Sequence, residues 1–476
     1  MTNHSPITGR AASRWLPWIL LPPAGLILVK LMLRPTMAIA LIGATFMAAT
    51  ASLSIAIPLG LNGFAVPLVG YLGHDPFPSK AVPLISFVWI MMALGFFFLR
   101  GGDPRLRRAF ASPLVLATAG LLALLLVRLP ASTASTYGTF KVELFIISNL
   151  TLLFAGIVLG LRPREIDLFL VLTLAIDTIS GLLVLRQFGT TGTASADRFG
   201  LAQQNVISLG VQGAEGLMVA TYLMIRGKRR WHQMFAVAVL PIAFTALLAS
   251  GSRGPVLGGA IGLLVLIALL GGSRRVALRL LVLVALLVCS FSVAVRLVPS
   301  AASQRSLSTI TGTRSGLASN GRDQLWSAAW KTFTDHPITG VGTGSFATEA
   351  RRDICPGPGC LDKYPHNVLL ETGAELGIGG LLLMLAVLVA GAKALVRSWR
   401  LPGVERDYAA IAIGLFVAAA TTSLLTGDIA GDGAIWFTGG LGVGLSLAAQ
   451  PLTSAVERAR KRPRAGGARS RARTAS

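Results

Sequence analysis

Apolar runs of about 20 residues, parted by short polar connections, recur along nearly the whole chain. As a helix rising 1.5 Å per residue, such a run crosses a hydrocarbon core roughly 30 Å thick. The runs fall near 37–59, 81–99, 110–129, 142–161, 166–185, 205–225, 233–250, 255–272, 277–298, 367–396, 408–425 and 434–450. They predict an all-α, polytopic transmembrane protein of about twelve spans. Segment 15–33 is also apolar, but Pro22-Pro23 interrupts it, so a short interfacial or re-entrant element is expected there rather than a thirteenth span. The polar Met1–Arg14 stretch and the same proline pair argue against a cleavable signal peptide.

One long polar stretch separates the ninth run from the tenth. The chain therefore divides into a membrane region at 1–298, a large loop at 299–366, three further spans within 367–450, and a basic tail at 451–476. Residues 300–320 are rich in Ser, Thr and Gly and read as linker. Residues 321–334 place Trp326, Ala329, Trp330 and Phe333 at i, i+3, i+4 and i+7, one apolar helical stripe. Tryptophans on such a face suit a helix lying in the membrane interface.

Composition agrees with the pattern. Of 476 residues, 53% are hydrophobic and 13% charged, and the mean hydropathy is +0.69. A soluble domain carries roughly 25% charged residues, so this chain cannot cover itself with a solvated surface. The net charge of +23 invites a nucleic-acid partner. Its distribution argues against that reading, because the basic clusters occupy alternate connections, as expected of cytoplasmic loops. They are Arg100, Arg105, Arg107 and Arg108; Arg162 and Arg164; Arg226, Lys228, Arg229 and Arg230; Arg274, Arg275 and Arg279; Arg397, Arg400 and Arg406; and the tail from Arg458 to Arg473. The connections 60–80, 130–141, 186–204, 250–255 and 299–366 then face the outside of the membrane.

Three cysteines follow from this topology. Cys289 lies in an apolar span and reads as a small core residue. Cys355 and Cys360, in CPGPGC, would sit in an oxidising compartment, where a local disulfide is the expected state. A zinc site competes, but the pair lacks a second ligand pair at standard spacing.

Charges at span ends are costly and are candidates for function. Arg253 sits in a tight outer turn, Ser252-Arg253-Gly254-Pro255; Arg198 precedes the sixth span; Arg322 opens the loop helix; and Tyr364-Pro365-His366-Asn367 leads into a span whose first turns carry Glu371 and Glu375. All fall on the same outer side. A guanidinium fork matches phosphate oxygens, and a histidine of ordinary basicity can accept a proton near neutrality. Three arginines and a histidine on one face suit an anionic, diphosphate-like ligand and one proton transfer. The plainer readings are snorkelling for each arginine and helix capping for His366. Gly340-Val341-Gly342-Thr343-Gly344 resembles a phosphate loop but lacks the GK[ST] ending, so a flexible turn is expected. Asp428 and Asp432, in GDIAGDG, read as a polar turn rather than a cation site.

In this order, SGSRGP, GRDQLWSAAWKTFTDHPITGVGTGSF and PHNVLLETGAELGIGG resemble the O-antigen ligase and O-antigen polymerase superfamily, over roughly residues 190–400. The resemblance implies a multi-helix GT-C-like membrane fold with a large periplasmic loop. It also implies a metal-independent glycosyltransferase that moves a glycan from undecaprenyl diphosphate to a lipid, glycan or protein acceptor. By the same resemblance Arg253, Arg322 and, more loosely, Arg198 grip the donor diphosphate. His366 activates the acceptor hydroxyl or acts at the diphosphate, with Asn367 and Glu371 as supporting residues. No cofactor is expected, and no Asp-x-Asp lies on the outer side to hold a metal. The CPGPGC insert stands outside the family pattern. The competing class is a transporter or flippase for an anionic lipid-linked glycan. Transporters favour internal repeats and midplane charges, whereas here no repeat is seen and the unusual charges gather at one end of the spans.

Overall fold

The computed structural model describes residues 35–62, 81–191, 206–271, 274–297, 322–354, 364–402 and 404–450. Among the described residues the chain is helical, with no strand. The helices are α1 (Pro35–Leu53), α2 (Ala56–Gly60), α3 (Ala81–Leu99), α4 (Pro113–Arg128), α5 (Ser135–Gly160), α6 (Pro163–Thr191), α7 (Val206–Arg226), α8 (Arg230–Ala249), α9 (Arg253–Leu270), α10 (Arg274–Leu297), α11 (Arg322–Asp335), α12 (Phe346–Ile354), α13 (Val368–Trp399), α14 (Val404–Thr426) and α15 (Gly433–Ala448). Eight are long and apolar enough to cross a membrane; α3, α10 and α15 hold shorter apolar stretches. The chain is an all-α polytopic membrane protein.

Every predicted run from 81–99 onward falls on one helix. The predicted run 37–59 does not, because it breaks at Ser54. The Ser54 hydroxyl reaches Glu165 in the first turn of α6 and also accepts the Ala56 N–H at 3.0 Å, which starts α2 anew. Glycine at position 60 then lets α2 press against Leu172 and the Phe169 carbonyl, two turns further along α6. Segment 15–33, the linker 300–320 and the tail 451–476 lie outside the described residues.

Close approach of helices follows from small residues at four-residue spacing, since lipid tails offer no hydrophobic incentive for helices to associate. Gly156 and Gly160 of α5 face Gly440 and Gly444 of α15. A Cβ on Gly156 would stand 2.2 Å from the Phe437 carbonyl, and one on Gly444 2.2 Å from that of Ile157. Gly254, Gly258 and Gly262 form a second spine on α9, lying in turn against Thr426, Ala418 with Thr422, and Gly414 of α14. Outside these seams the helices present Leu116, Val127, Leu264, Leu281, Val288 and Leu382 to their surroundings, as a lipid-facing surface requires. Cys289 is exposed on α10 among such residues, so it is a surface position and not the core residue expected from its apolar span.

The basic connections meet at one end of the bundle. Lys228 pairs with Asp167 at 3.0 Å and donates to the Tyr408 hydroxyl at 2.7 Å, while Tyr408 donates to Asp167 at 2.9 Å. Arg226 pairs with Asp407, Arg162 stacks on Phe97 with its guanidinium carbon 4.8 Å from the ring centre, and Arg108 donates to Gln450 at 3.3 Å.

Candidate active site

The opposite end is held by one buried ion cluster. Lys141 of α5 is 1% exposed and donates to Glu371 at 2.6 Å and to both Glu375 oxygens at 2.8 Å. The two glutamates stand four residues apart, so they share a face of α13. Their remaining capacity goes to backbone: Glu371 accepts the Ile429 N–H, and Glu375 the Gly344 N–H, each at 2.8 Å. One lysine thus fastens the Gly340–Gly344 loop and the 427–432 turn to the start of α13. Burial of an ion pair is tolerable only when the remaining polar groups are satisfied in this way.

The glycine-rich loop is a packed clasp, where a flexible turn was expected. Gly340, Gly342 and Gly344 have φ of 62°, 101° and 78°, a region L side chains avoid. A Cβ on Gly340 would lie 2.3 Å from the Glu375 carbonyl carbon. Val341 and Gly342 donate to the Ala374 and Glu375 carbonyls at 3.0 and 2.9 Å, and Arg128 donates to the Gly340 carbonyl at 3.2 Å. Facing the clasp, α13 kinks at Gly377, and Ile378 donates to the Pro337 carbonyl at 2.7 Å.

α11 packs on α12 and α13 through Leu325, Ala328, Ala329 and Thr332. Trp326 and Phe333 flank this contact, and Trp330 is 56% exposed. The buried stripe is therefore one residue away from the predicted one, which keeps Ala329 but turns Trp330 outward. Phe333 lies opposite Gly373 and the Pro337 and Ile338 carbonyls opposite Gly377, so α11 runs alongside the first half of α13. Arg322, its first residue, is half-buried.

Arg253 and His366 are brought to one place. The glycine spine seats α9 so that Gly254, next to Arg253, lies against Thr426, the last residue of α14. The Nδ1 of His366 stands 3.3 Å from the Thr426 carbonyl. A carbonyl only accepts, so this contact takes Nδ1 as its donor, and in the neutral tautomer with that donor Nε2 keeps the lone pair. His366 has φ of 57° and is the one non-glycine residue with positive φ among those described. Strain of that kind gathers at functional sites, where surrounding structure holds it. Tyr364 packs edge-on to the imidazole with centroids 4.6 Å apart. Capping of α13 belongs to Asn367 instead: its Oδ1 accepts the Leu369 and Leu370 N–H groups at 3.0 and 3.1 Å. Glu371, one turn on, is in the ion cluster.

Thr426 also lines a cavity of about 310 Å³ that reaches inward between α7, α14 and α15. Thr426, Gly427 and Asp432 line it beside the 427–432 turn, and Val211, Met218, Leu415 and Phe437, with the polar Gln212 and Glu215, line it along the helices. Asp428 Oδ1 accepts the Ala430 N–H at 2.9 Å and Asp432 bonds to Ser423, so both acids serve the turn, and no cluster of metal-ligating residues occurs among those described. Burial, then Asp428, then Glu371 hold the Asp432 carboxyl well above the usual carboxylate range. Arg198, Cys355 and Cys360 lie outside the described residues. Lys141 and Thr426 were not singled out from the sequence; a lysine at the boundary between the outer connection 130–141 and an apolar run was the available signal for the first, and a backbone carbonyl leaves none for the second.

The fold defines a polytopic helical membrane protein with a candidate site at this end of the bundle. Residues 238–385 match the family model described as O-antigen ligase (Wzy_C), a stretch containing Arg253, Arg322, His366, Asn367 and Glu371. Over this stretch, about a third of the chain, the protein is similar to the O-antigen ligase family. No curated protein matches it.

Proposed function

We propose that this O-antigen ligase-like enzyme transfers an oligo- or polysaccharide from undecaprenyl diphosphate to an acceptor hydroxyl. The reaction would take place at the bundle end opposite the basic connections, on the extracytoplasmic face of the bacterial inner membrane. The observation that carries this reading is the convergence of His366 and the Arg253 turn on Thr426, which lines a largely apolar cavity that a polyprenyl chain could enter.

The acceptor oxygen bonds to the anomeric carbon as the bond from that carbon to the diphosphate oxygen breaks. The hydroxyl proton passes to His366 Nε2, the nitrogen left basic by the Nδ1 contact. Arg253, with Arg322 and Arg198, offsets the charge developing on the leaving diphosphate. Metal independence is part of the proposal: the acids nearest the site, Asp428 and Asp432, are engaged by their own turn, and fixed guanidinium groups supply the positive charge.

Purified protein in nanodiscs, given a lipid-diphosphate glycan and separate lipid, glycan and protein acceptors, tests the reading. Transfer to one acceptor in the presence of chelator is the expected result. Donor binding without transfer to any of the three would count against it.

A further inference from the structure

The bundle core holds two acidic residues that the proposed reaction does not use. Asp177 lies at the midpoint of α6 and Glu215 near the middle of α7. Both line a second cavity, of about 240 Å³, and Glu215 with Gln212 also lines the first. The helices approach at Gly216, the residue after Glu215, where an added Cβ would stand 3.3 Å from that of Asp177 and 3.4 Å from its Oδ2. Asp177 is 6% exposed, and its Oδ2 is buried with no hydrogen-bond partner.

A bare carboxylate oxygen in a membrane core is costly and demands a positive partner or a donor. Neither cavity is lined by Lys, Arg or His among the described residues. The cavity wall is mostly apolar, and its polar members besides the two acids are Thr173, Asn62 and Gln212, which carry hydroxyl and amide oxygens. Carboxylate, hydroxyl and amide oxygens together are the ligand set of hard cations. We propose that Asp177 and Glu215, with Thr173 and Gln212, form a binding site for a small hard cation in the middle of the bundle, at the inner part of the cavity that Thr426 also lines.

The test needs no glycosyl transfer. The thermal midpoint of full-length protein in detergent is measured at constant ionic strength while choline chloride is replaced by NaCl, KCl or MgCl2, for wild type, Asp177→Asn, Glu215→Gln and the double variant. A saturable rise of about 2 °C or more with at least one metal ion, absent in choline and lost in the double variant, is expected. If Asp177→Asn does not yield monodisperse protein, the same comparison is made with Glu215→Gln and Thr173→Val. Equal midpoints in all salts, or a rise that persists in the variants, overturns the proposal.

Discussion

His366 combines two properties that separate catalysis from architecture. Its φ of 57° is strained for any side chain but free for glycine, and its Nδ1 contact orients the ring. His366→Gly should therefore keep or slightly raise the thermal midpoint, while His366→Ala loses transfer by about 10²–10⁴-fold with donor binding intact if the imidazole is a general base. Wild-type turnover in either variant would sink the catalytic assignment. Arg253→Ala should act on the other half of the reaction, weakening donor affinity by about 1.5–3 kcal/mol, measured by titration in nanodiscs. Arg253→Lys should not restore it, because an ammonium lacks the bidentate fork. Asp432 gives a pH dependence of stability. Its folded pKa lies above the unfolded value of about 3.9, so its contribution is full below that pH and is lost as pH rises through the folded value. Asp432→Asn should gain thermal midpoint relative to wild type as pH is raised from 4 to 8, and parallel profiles would refute the assignment.

Among the elements, the start of α13 is tied to α5 by the buried pairs of Lys141 with Glu371 and Glu375. Replacing Lys141 by Met leaves Glu371 and Glu375 uncompensated in the core, at a cost of about 3–5 kcal/mol. Restoring neutrality with Glu371→Gln and Glu375→Gln in the same chain should recover part of that loss. A lone Lys141→Met variant as stable as wild type, by thermal melt in detergent, would show the cluster to be dispensable. The helices themselves were legible in the sequence, because a long apolar run in lipid can satisfy its backbone only as helix. The break at Ser54 was not, since Glu165, over a hundred residues away, provides its partner. In α11 the sequence offers two adjacent stripes, Leu325-Ala328-Ala329-Thr332 and Trp326-Ala329-Trp330-Phe333. Hydrophobicity favours the second, but the two alanines of the first allow the nearer approach to α13, and packing decided. At the site, residue types and motif order pointed to Arg253 and His366, while the meeting of the Arg253 turn with His366 at Thr426 depends on a glycine spine whose partner helix is known only once folded.

For the whole molecule, the decisive quantity is which end of the bundle faces the cytoplasm. Arg108, Arg162, Arg226 and Lys228, from three separate connections, share one end through contacts with α3, α6, α14 and the end of α15. Arg253, His366 and the Gly340–Gly344 clasp occupy the other. A basic end retained in the cytoplasm leaves the site facing outward, where a lipid-linked glycan already moved across the bilayer would meet its acceptor. A reporter active only in the cytoplasm should therefore be active when fused after Arg108 or Arg230 and silent when inserted within 300–350; a reporter requiring export should give the reverse. Thiol labelling supplies an independent reading of the same orientation: a Cys355–Cys360 bridge, outside the reducing cytosol, would block both thiols until reductant is added. Fusions that report the same compartment for Arg108 and for residues 300–350 would split the proposed site across the bilayer, and no arrangement of Arg253 and His366 on Thr426 could survive that result.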